Sequence, residues 1–364
     1  MKIINVVGAR PNFMKIAPIQ RLMMANENFT PILLHTGQHY DKRMSKLFFE
    51  DLEMPQPDIY LGIGSGSHAE QTAKVMIEFE GICQREKPDL VLVVGDVNST
   101  AACSIVAKKL HIDVAHVEAG LRSNDREMPE EINRLVTDAI SDLLFTTEKS
   151  GTENLHREGQ APEKIHFVGN VMIDSLVNNL EKSKNSDILS RLKLEKENYI
   201  LITLHRPSNV DDKETLFKLI NLFADIEKDI PLVFPIHPRT TKMIEMHGLN
   251  DKISAMKNLH LLEPQGYLDF LQLMRNAKAT LTDSGGIQEE TTYLGIPCIT
   301  MRENTERPST ADMGTNIVAG RNVDYIRKLI GKIIDNDWKE ARVPPLWDGK
   351  TAERILEVLA NYRG

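Results

Sequence analysis

Short β-branched and aliphatic runs alternate with longer amphipathic stretches along the whole chain. Residues 3–7, 31–35, 90–94, 114–117, 143–146 and 165–168 carry the strand pattern; 16–25, 70–85, 101–110 and 131–141 carry the helical one. A polar, Lys/Glu-rich stretch at 181–198 interrupts the rhythm. It then restarts, with strands at 199–204, 232–236, 259–262, 279–282, 297–301 and 316–318 and helices between them. The run Leu90-Val91-Leu92-Val93-Val94 is apolar at consecutive positions, so both its faces must be buried, as in a parallel sheet covered by helices on each side. The pattern predicts an α/β protein of two doubly wound, Rossmann-like domains facing across a cleft, over residues 1–170 and 171–348. A final helix in 349–364 has no strand after it and is expected to cross back to the first domain.

A length of 364 residues fits two domains. Hydrophobic residues make up 41% and charged residues 26%, an ordinary globular balance, so neither changes the picture. The formal net charge of -8 does: it argues against nucleic acid or an anionic membrane surface as the main partner, while leaving room for a local basic site for a small anion. Cys83, Cys103 and Cys298 are far apart and form no CxxC pair, which predicts no disulfide framework, no structural zinc and a reducing cytoplasm. The opening Met1-Lys2-Ile3-Ile4-Asn5-Val6-Val7-Gly8 reads as a first strand rather than a signal peptide. No apolar run approaches the roughly 20 residues of a membrane span.

In doubly wound sheets ligands sit at the carboxyl ends of the strands. The polar residues of this chain cluster there. Arg10 and Lys15 follow the first strand, Asp96 the 90–94 strand, Glu118 the 114–117 strand, and His205 and Arg206 the 199–204 strand. Cations at a helix start oppose its dipole, so either a compensating anion, a carboxylate or a ligand phosphate, accounts for Arg10 and Lys15, or both side chains simply reach solvent. Asp96, Glu118 and one of Glu130 and Glu131 form a carboxylate set; crowding raises at least one pKa and makes a useful base, although Asp96 also suits a helix cap. Glu130 and Arg134, four apart, can pair on one helical face. His205 is either an acid toward a leaving phosphate or an ordinary satisfied histidine; His39 and His237 are weaker candidates. Asp283-Ser284-Gly285-Gly286 links a strand to a helix whose first turn is suited to an anion, with Glu290 one turn on and able to accept from a hydroxylated ligand such as a ribose; the alternative is that Ser284 caps the helix and the glycines serve only the turn. GxGxxG and P-loop motifs are absent from the strand–helix turns, so a nicotinamide cofactor and Walker-type phosphoryl transfer lack their usual sites. The histidines lack HExxH spacing, so no metal and no cofactor is expected.

Taken in order, Gly8-Ala9-Arg10-Pro11-Asn12-Phe13-Met14-Lys15, Thr36-Gly37-Gln38-His39, Gly95-Asp96, His116-Val117-Glu118-Ala119-Gly120-Leu121-Arg122, Pro129-Glu130-Glu131-Ile132-Asn133-Arg134, Thr282-Asp283-Ser284-Gly285-Gly286-Ile287-Gln288-Glu289-Glu290 and Thr305-Glu306-Arg307-Pro308 resemble the non-hydrolysing UDP-N-acetylglucosamine 2-epimerase family nearly end to end. The resemblance implies a glycosyltransferase B-type fold and reversible conversion of UDP-GlcNAc to UDP-ManNAc through a glycal. It places Arg10, Lys15, Asp96, Glu118, Glu130, Arg134 and His205 in the active site, and Gln265, Phe270, Ser284, Gly285, Gly286, Glu290 and Arg307 around UDP. It further implies a cytoplasmic homodimer serving polysaccharide synthesis. Some members are activated by a second UDP-GlcNAc near the Gln38-His39 loop; here Asp41 and His68 stand where those carry Gln and Arg. Two alternatives remain open: a 2-epimerase of UDP-2,3-diacetamido-2,3-dideoxyglucuronic acid, and a retaining UDP-sugar glycosyltransferase of the same fold.

Overall fold

A computed structural model describes residues 1–37 and 54–363; Gln38, His39 and Asp41 lie outside them. The chain divides into two compact units, Met1–Asn178 with Pro345–Gly364, and Asn179–Pro344.

In the first unit β1 (Lys2–Val7), β2 (Thr30–His35), β3 (Ile59–Tyr60), β4 (Leu90–Val94), β5 (Asp113–Ala119), β6 (Leu143–Thr146) and β7 (Ile165–Phe167) form one sheet, in the order β3-β2-β1-β4-β5-β6-β7. Every pairing is parallel. In β4 all five residues are buried, as a strand covered by helices on both faces requires. β3 has two residues, too few to show alternation in the sequence. The Asn98–Lys109 helix begins three residues before its apolar pattern does, because Asn98, Ser99 and Thr100 are themselves buried. The last helix, Thr351–Asn361, packs on the Arg10–Met24 helix, and Asp174 accepts its first amides, from Thr351 (3.1 Å) and Ala352 (2.7 Å).

The second unit repeats the plan with β8 (Ile200–Thr203), β9 (Leu232–Pro235), β10 (Leu259–Leu262), β11 (Ala279–Thr282), β12 (Cys298–Thr300) and β13 (Asn316–Val318), ordered β10-β9-β8-β11-β12-β13 and again parallel. Its core joins the strands to Leu216, Leu219, Phe223 and Ile226 from one helix and to Ile326, Leu329, Ile330 and Ile333 from another. Strand order reverses between β1 and β4 in one sheet and between β8 and β11 in the other. At such switch points the helices leave toward opposite faces, and a crevice opens outside the carboxyl ends of the strands. Among the described residues no helix is long and apolar enough to cross a membrane.

Candidate active site

At the β1/β4 switch point the first helix, Arg10–Met24, starts with Arg10 and brings Lys15 inward. Asn12 fills the turn: its Oδ1 accepts from the amides of Gly8 (3.3 Å) and Ala9 (2.8 Å), and its Nδ2 donates to the Val94 carbonyl (2.9 Å). Lys15 is 7% exposed and donates to the Glu118 carboxylate, itself 3% exposed. The two charges are removed from water together, and each depends on the other. Glu118 reaches that position because β5 is irregular there: its register with β6 shifts between Val117 and Ala119, and Glu118 has φ +70°. A non-glycine residue in the left-handed region stores backbone strain, which surrounding structure must hold in place. Gly95 after β4 has φ +68°, and a side chain there would press within 3.0 Å of the Lys15 ammonium. The next residue, Asp96, accepts from Arg134 Nε (3.0 Å) and Nη2 (2.7 Å).

The expected pairing of Arg134 with Glu130 does not form. Arg134 reaches Glu131 instead, one turn back at i−3, and Glu131 also accepts from the Ser123 amide (3.0 Å) and the Asn124 amide (3.0 Å). Glu131 therefore ties a loop to the helix. Glu130 is half-buried, with no hydrogen bond or ion pair among the described residues. Behind these groups lie His116 and Asp138. His116 Nδ1 meets Asp138 at 2.6 Å and its Nε2 meets the Gly95 carbonyl at 2.8 Å. Burial pushes the Asp138 carboxyl up, but His116, Arg122 and the Gly120 amide outweigh it and hold the carboxyl below the usual range. The available signal was an acidic residue on the core face of an otherwise amphipathic helix, one turn after Arg134.

At the β8/β11 switch point, Asp283 is fully buried at the end of β11. It accepts from the amides of His205 (2.9 Å) and Arg206 (2.8 Å) and from Asn209 Nδ2 (3.2 Å), and its other oxygen meets His205 Nδ1 at 2.8 Å. Burial acts to raise Asp283, yet the His205 ring and the two amides keep it below the carboxylate norm. His205 is thus fixed with Nδ1 inward. His237 caps its own helix, with Nδ1 accepting from the Arg239 amide at 3.1 Å, and its ring centroid lies 5.6 Å from that of His205.

The helix Gly285–Leu294 starts at Ser284, whose side chain makes no capping hydrogen bond. The capping alternative is thereby set aside, and the first-turn amides remain available to an anion. A side chain on Gly285 would come within 3.2 Å of Glu306 and close to Arg307. Arg307 is 6% exposed and donates from Nε to Glu289 (2.8 Å). Glu290 is buried and accepts from the Tyr267 hydroxyl at 2.9 Å. Burial lifts its carboxyl to about 7; Tyr267 opposes the rise and Glu289 adds to it. Phe270 lies on the same helix as Tyr267, Tyr267–Arg275; Gln265, just before it, is half-buried and donates to the Glu263 carbonyl (2.6 Å).

Two parallel sheets of this order, with acids and a lysine at one switch point and an uncapped glycine turn at the other, define a glycosyltransferase B-like α/β protein. Comparison with known proteins carries this further. A family model described as UDP-N-acetylglucosamine 2-epimerase matches residues 21–360. A UDP-N-acetylglucosamine 2-epimerase homolog of Methanococcus maripaludis is 48% identical, over 99% of this chain and 100% of its own. The UDP-GlcNAc 2-epimerase of Methanocaldococcus jannaschii, solved in complex with UDP-GlcNAc and UDP, is 44% identical, with each chain fully covered and a TM-score of 0.92. The UDP-2,3-diacetamido-2,3-dideoxy-D-glucuronate 2-epimerase of Pseudomonas aeruginosa is 38% identical over 99% of this chain and 100% of its own. The chain belongs to the UDP-N-acetylglucosamine 2-epimerase family.

Proposed function

We propose that the protein interconverts UDP-GlcNAc and UDP-ManNAc by eliminating UDP and adding it back. The observation that carries this reading is Glu118, buried against Lys15 and held at φ +70° close to Gly95, the residue before Asp96. Such a strained, buried acid set serves proton transfer better than it serves folding. The C2 proton of a 2-acetamido sugar is not adjacent to a ketone, so its removal must be coupled to loss of a leaving group. A carboxylate takes that proton as the C1–O bond to UDP breaks, leaving a glycal and UDP. UDP then re-forms the C1–O bond while a second carboxylate delivers a proton to the other face of C2. Asp96, Glu118 and Glu130 share these transfers, and Arg134 holds the Asp96 carboxylate in place. Arg10, Lys15, His205 and the 284–286 turn stabilise the departing diphosphate. Gln265, Phe270, Glu290 and Arg307 hold the nucleotide, with Glu290 accepting from the ribose.

The similarity to the Pseudomonas aeruginosa enzyme supports one second reading, the same chemistry on a 2,3-diacetamido uronate. A cytoplasmic homodimer fits the family resemblance; sedimentation of the purified protein tests the dimer. The deciding experiment is proton NMR with UDP-GlcNAc in D2O and no added cofactor. Deuterium at C2 together with a UDP-ManNAc signal is expected. Exchange only with the diacetamido-uronate sugar would move the assignment to the second reading, and free ManNAc with stoichiometric UDP would mean hydrolysis.

A further inference from the structure

One face of the Pro129–Ile140 helix reaches both carboxylates that flank Gly95. Arg134 holds Asp96 directly. Asp138, one turn later, holds no site group itself but binds residues on both sides of Glu118, the His116 ring on one side and the Gly120 amide on the other. Its Oδ1 meets His116 Nδ1 at 2.6 Å, and its Oδ2 accepts from the Gly120 amide at 3.0 Å and from Arg122 Nη2 at 2.7 Å. Glu118 lies midway between His116 and Gly120, at the point where the β5 register shifts. The other ring nitrogen of His116 meets the Gly95 carbonyl at 2.8 Å, while the Gly95 amide donates to the Val117 carbonyl at 3.1 Å. Gly95, whose neighbour is Asp96, is thus clamped by β5 through both of its backbone polar groups. Arg122 extends the network outward to Glu158 (2.8 and 2.6 Å). His116 and Asp138 are 0% and 1% exposed. An ionic network this deep is a poor route to stability, because removing the charges from water offsets most of their attraction. Its value lies in fixing geometry.

We propose that Asp138, acting through His116, is a positioning residue for the Asp96 and Glu118 carboxylates, an inference that rests on their proton-transfer role proposed above. Removing its charge releases the Gly95 carbonyl and the Glu118 bulge together, and both carboxylates lose their aim.

Asp138→Asn in the full chain tests this. We expect kcat for C2–H exchange to fall at least tenfold, with KM and the Kd for UDP unchanged. Asp174→Asn is the control: it removes a buried carboxylate of the same unit that caps a helix, and is expected to lower Tm without lowering kcat. Exchange in Asp138→Asn within twofold of wild type, or an equal kcat loss in Asp174→Asn, overturns the proposal. If Asp138→Asn does not fold, His116→Gln against His116→Ala decides. The glutamine amide can still donate to the Gly95 carbonyl, so it should be at least fivefold more active than the alanine variant; equal activities overturn the proposal. If wild-type protein exchanges no C2 proton with either UDP-sugar, the functional reading alone has failed. A crystal structure of Asp138→Asn, or of His116→Ala if the former does not fold, then still decides. Asp96–Arg134 and Glu118–Lys15 contacts kept as in the wild type overturn the positioning role, and their loss supports it.

Discussion

The β1/β4 turn and the β8/β11 turn occupy the same place in two sheets of the same order, yet they are filled in opposite ways. In the first unit the protein satisfies its own turn: Asn12 takes the Gly8 and Ala9 amides, and Lys15 and Arg134 are each committed to a carboxylate. In the second unit the Ser284 hydroxyl caps nothing, and two glycines open the helix start. Side chains that already hold one another suit a step in which protons move by small distances within a fixed frame. Helix-start amides that no side chain caps among the described residues suit a ligand that brings its own negative charge. On the proposed reading, the same topology carries the proton transfers in the first unit, where Arg10 and Lys15 also face the diphosphate, and most of the nucleotide contacts in the second, through the residues that fill the crevice.

The largest expected effect tests this division directly. Asp96→Asn should lower C2–H exchange by about 1,000-fold, within the range for loss of general acid–base catalysis, while UDP binds as before; normal exchange in that variant would remove Asp96 from the chemistry. Next, Lys15→Met leaves the Glu118 charge buried without its cation. Urea unfolding should show a loss of roughly 3 kcal/mol, since breaking one half of a buried pair strands the other; an unchanged midpoint would mean that Glu118 is relieved by another group. On the other side of the comparison, Gly285→Val presses on Glu306 and Arg307 at the helix start. Calorimetry should give a UDP Kd raised about tenfold, equivalent to about 1.4 kcal/mol, with kcat at saturating substrate retained. A loss of kcat instead would break the division of labour.

The smallest effect concerns Glu290. Its carboxyl is raised to about 7 by burial, so the protonated form is favoured in the folded protein. Its contribution to stability is full below the unfolded value near 4.5 and is lost as pH rises through about 7. On the proposed reading ligand binding runs the other way, because the charged carboxylate is the stronger acceptor for a ribose hydroxyl: UDP affinity should weaken as pH falls below about 7. Tyr267→Phe removes a hydrogen bond that opposes the rise, so the midpoint of that affinity profile should move upward. A pH-independent UDP affinity from 5 to 8 would take Glu290 out of the nucleotide contacts.

Much of the fold could be read from the chain because a parallel sheet buried on both faces writes itself as consecutive apolar runs. β4 and β11 fall on the predicted segments. Two-residue β3 could not be read, and helix starts made of buried polar residues, as at Asn98, carry no apolar period. Candidate site residues could be named wherever charge falls near a strand end: Lys15 and Asp96 lie at the β1/β4 switch point, Glu118 near the end of β5 and His205 at the β8/β11 switch point. Their partners were less so. The choice of Glu131 over Glu130 for Arg134 depends on which carboxylate the loop amides of Ser123 and Asn124 also reach. The engagement of Asp283 with His205, and of Asp138 with His116, joins residues far apart along the chain.

Residue order alone therefore determined the alternation of strands and helices, the doubling of the unit and the family, because periodicity and local motifs are properties of neighbours in sequence. Tertiary structure alone decided which carboxylate faces which cation, that Glu118 is turned out of its strand at positive φ, and that Ser284 leaves its helix uncapped. Those outcomes depend on burial and on hydrogen-bond partners brought from distant segments, and burial sets the energy of a charge more strongly than any neighbour in the chain.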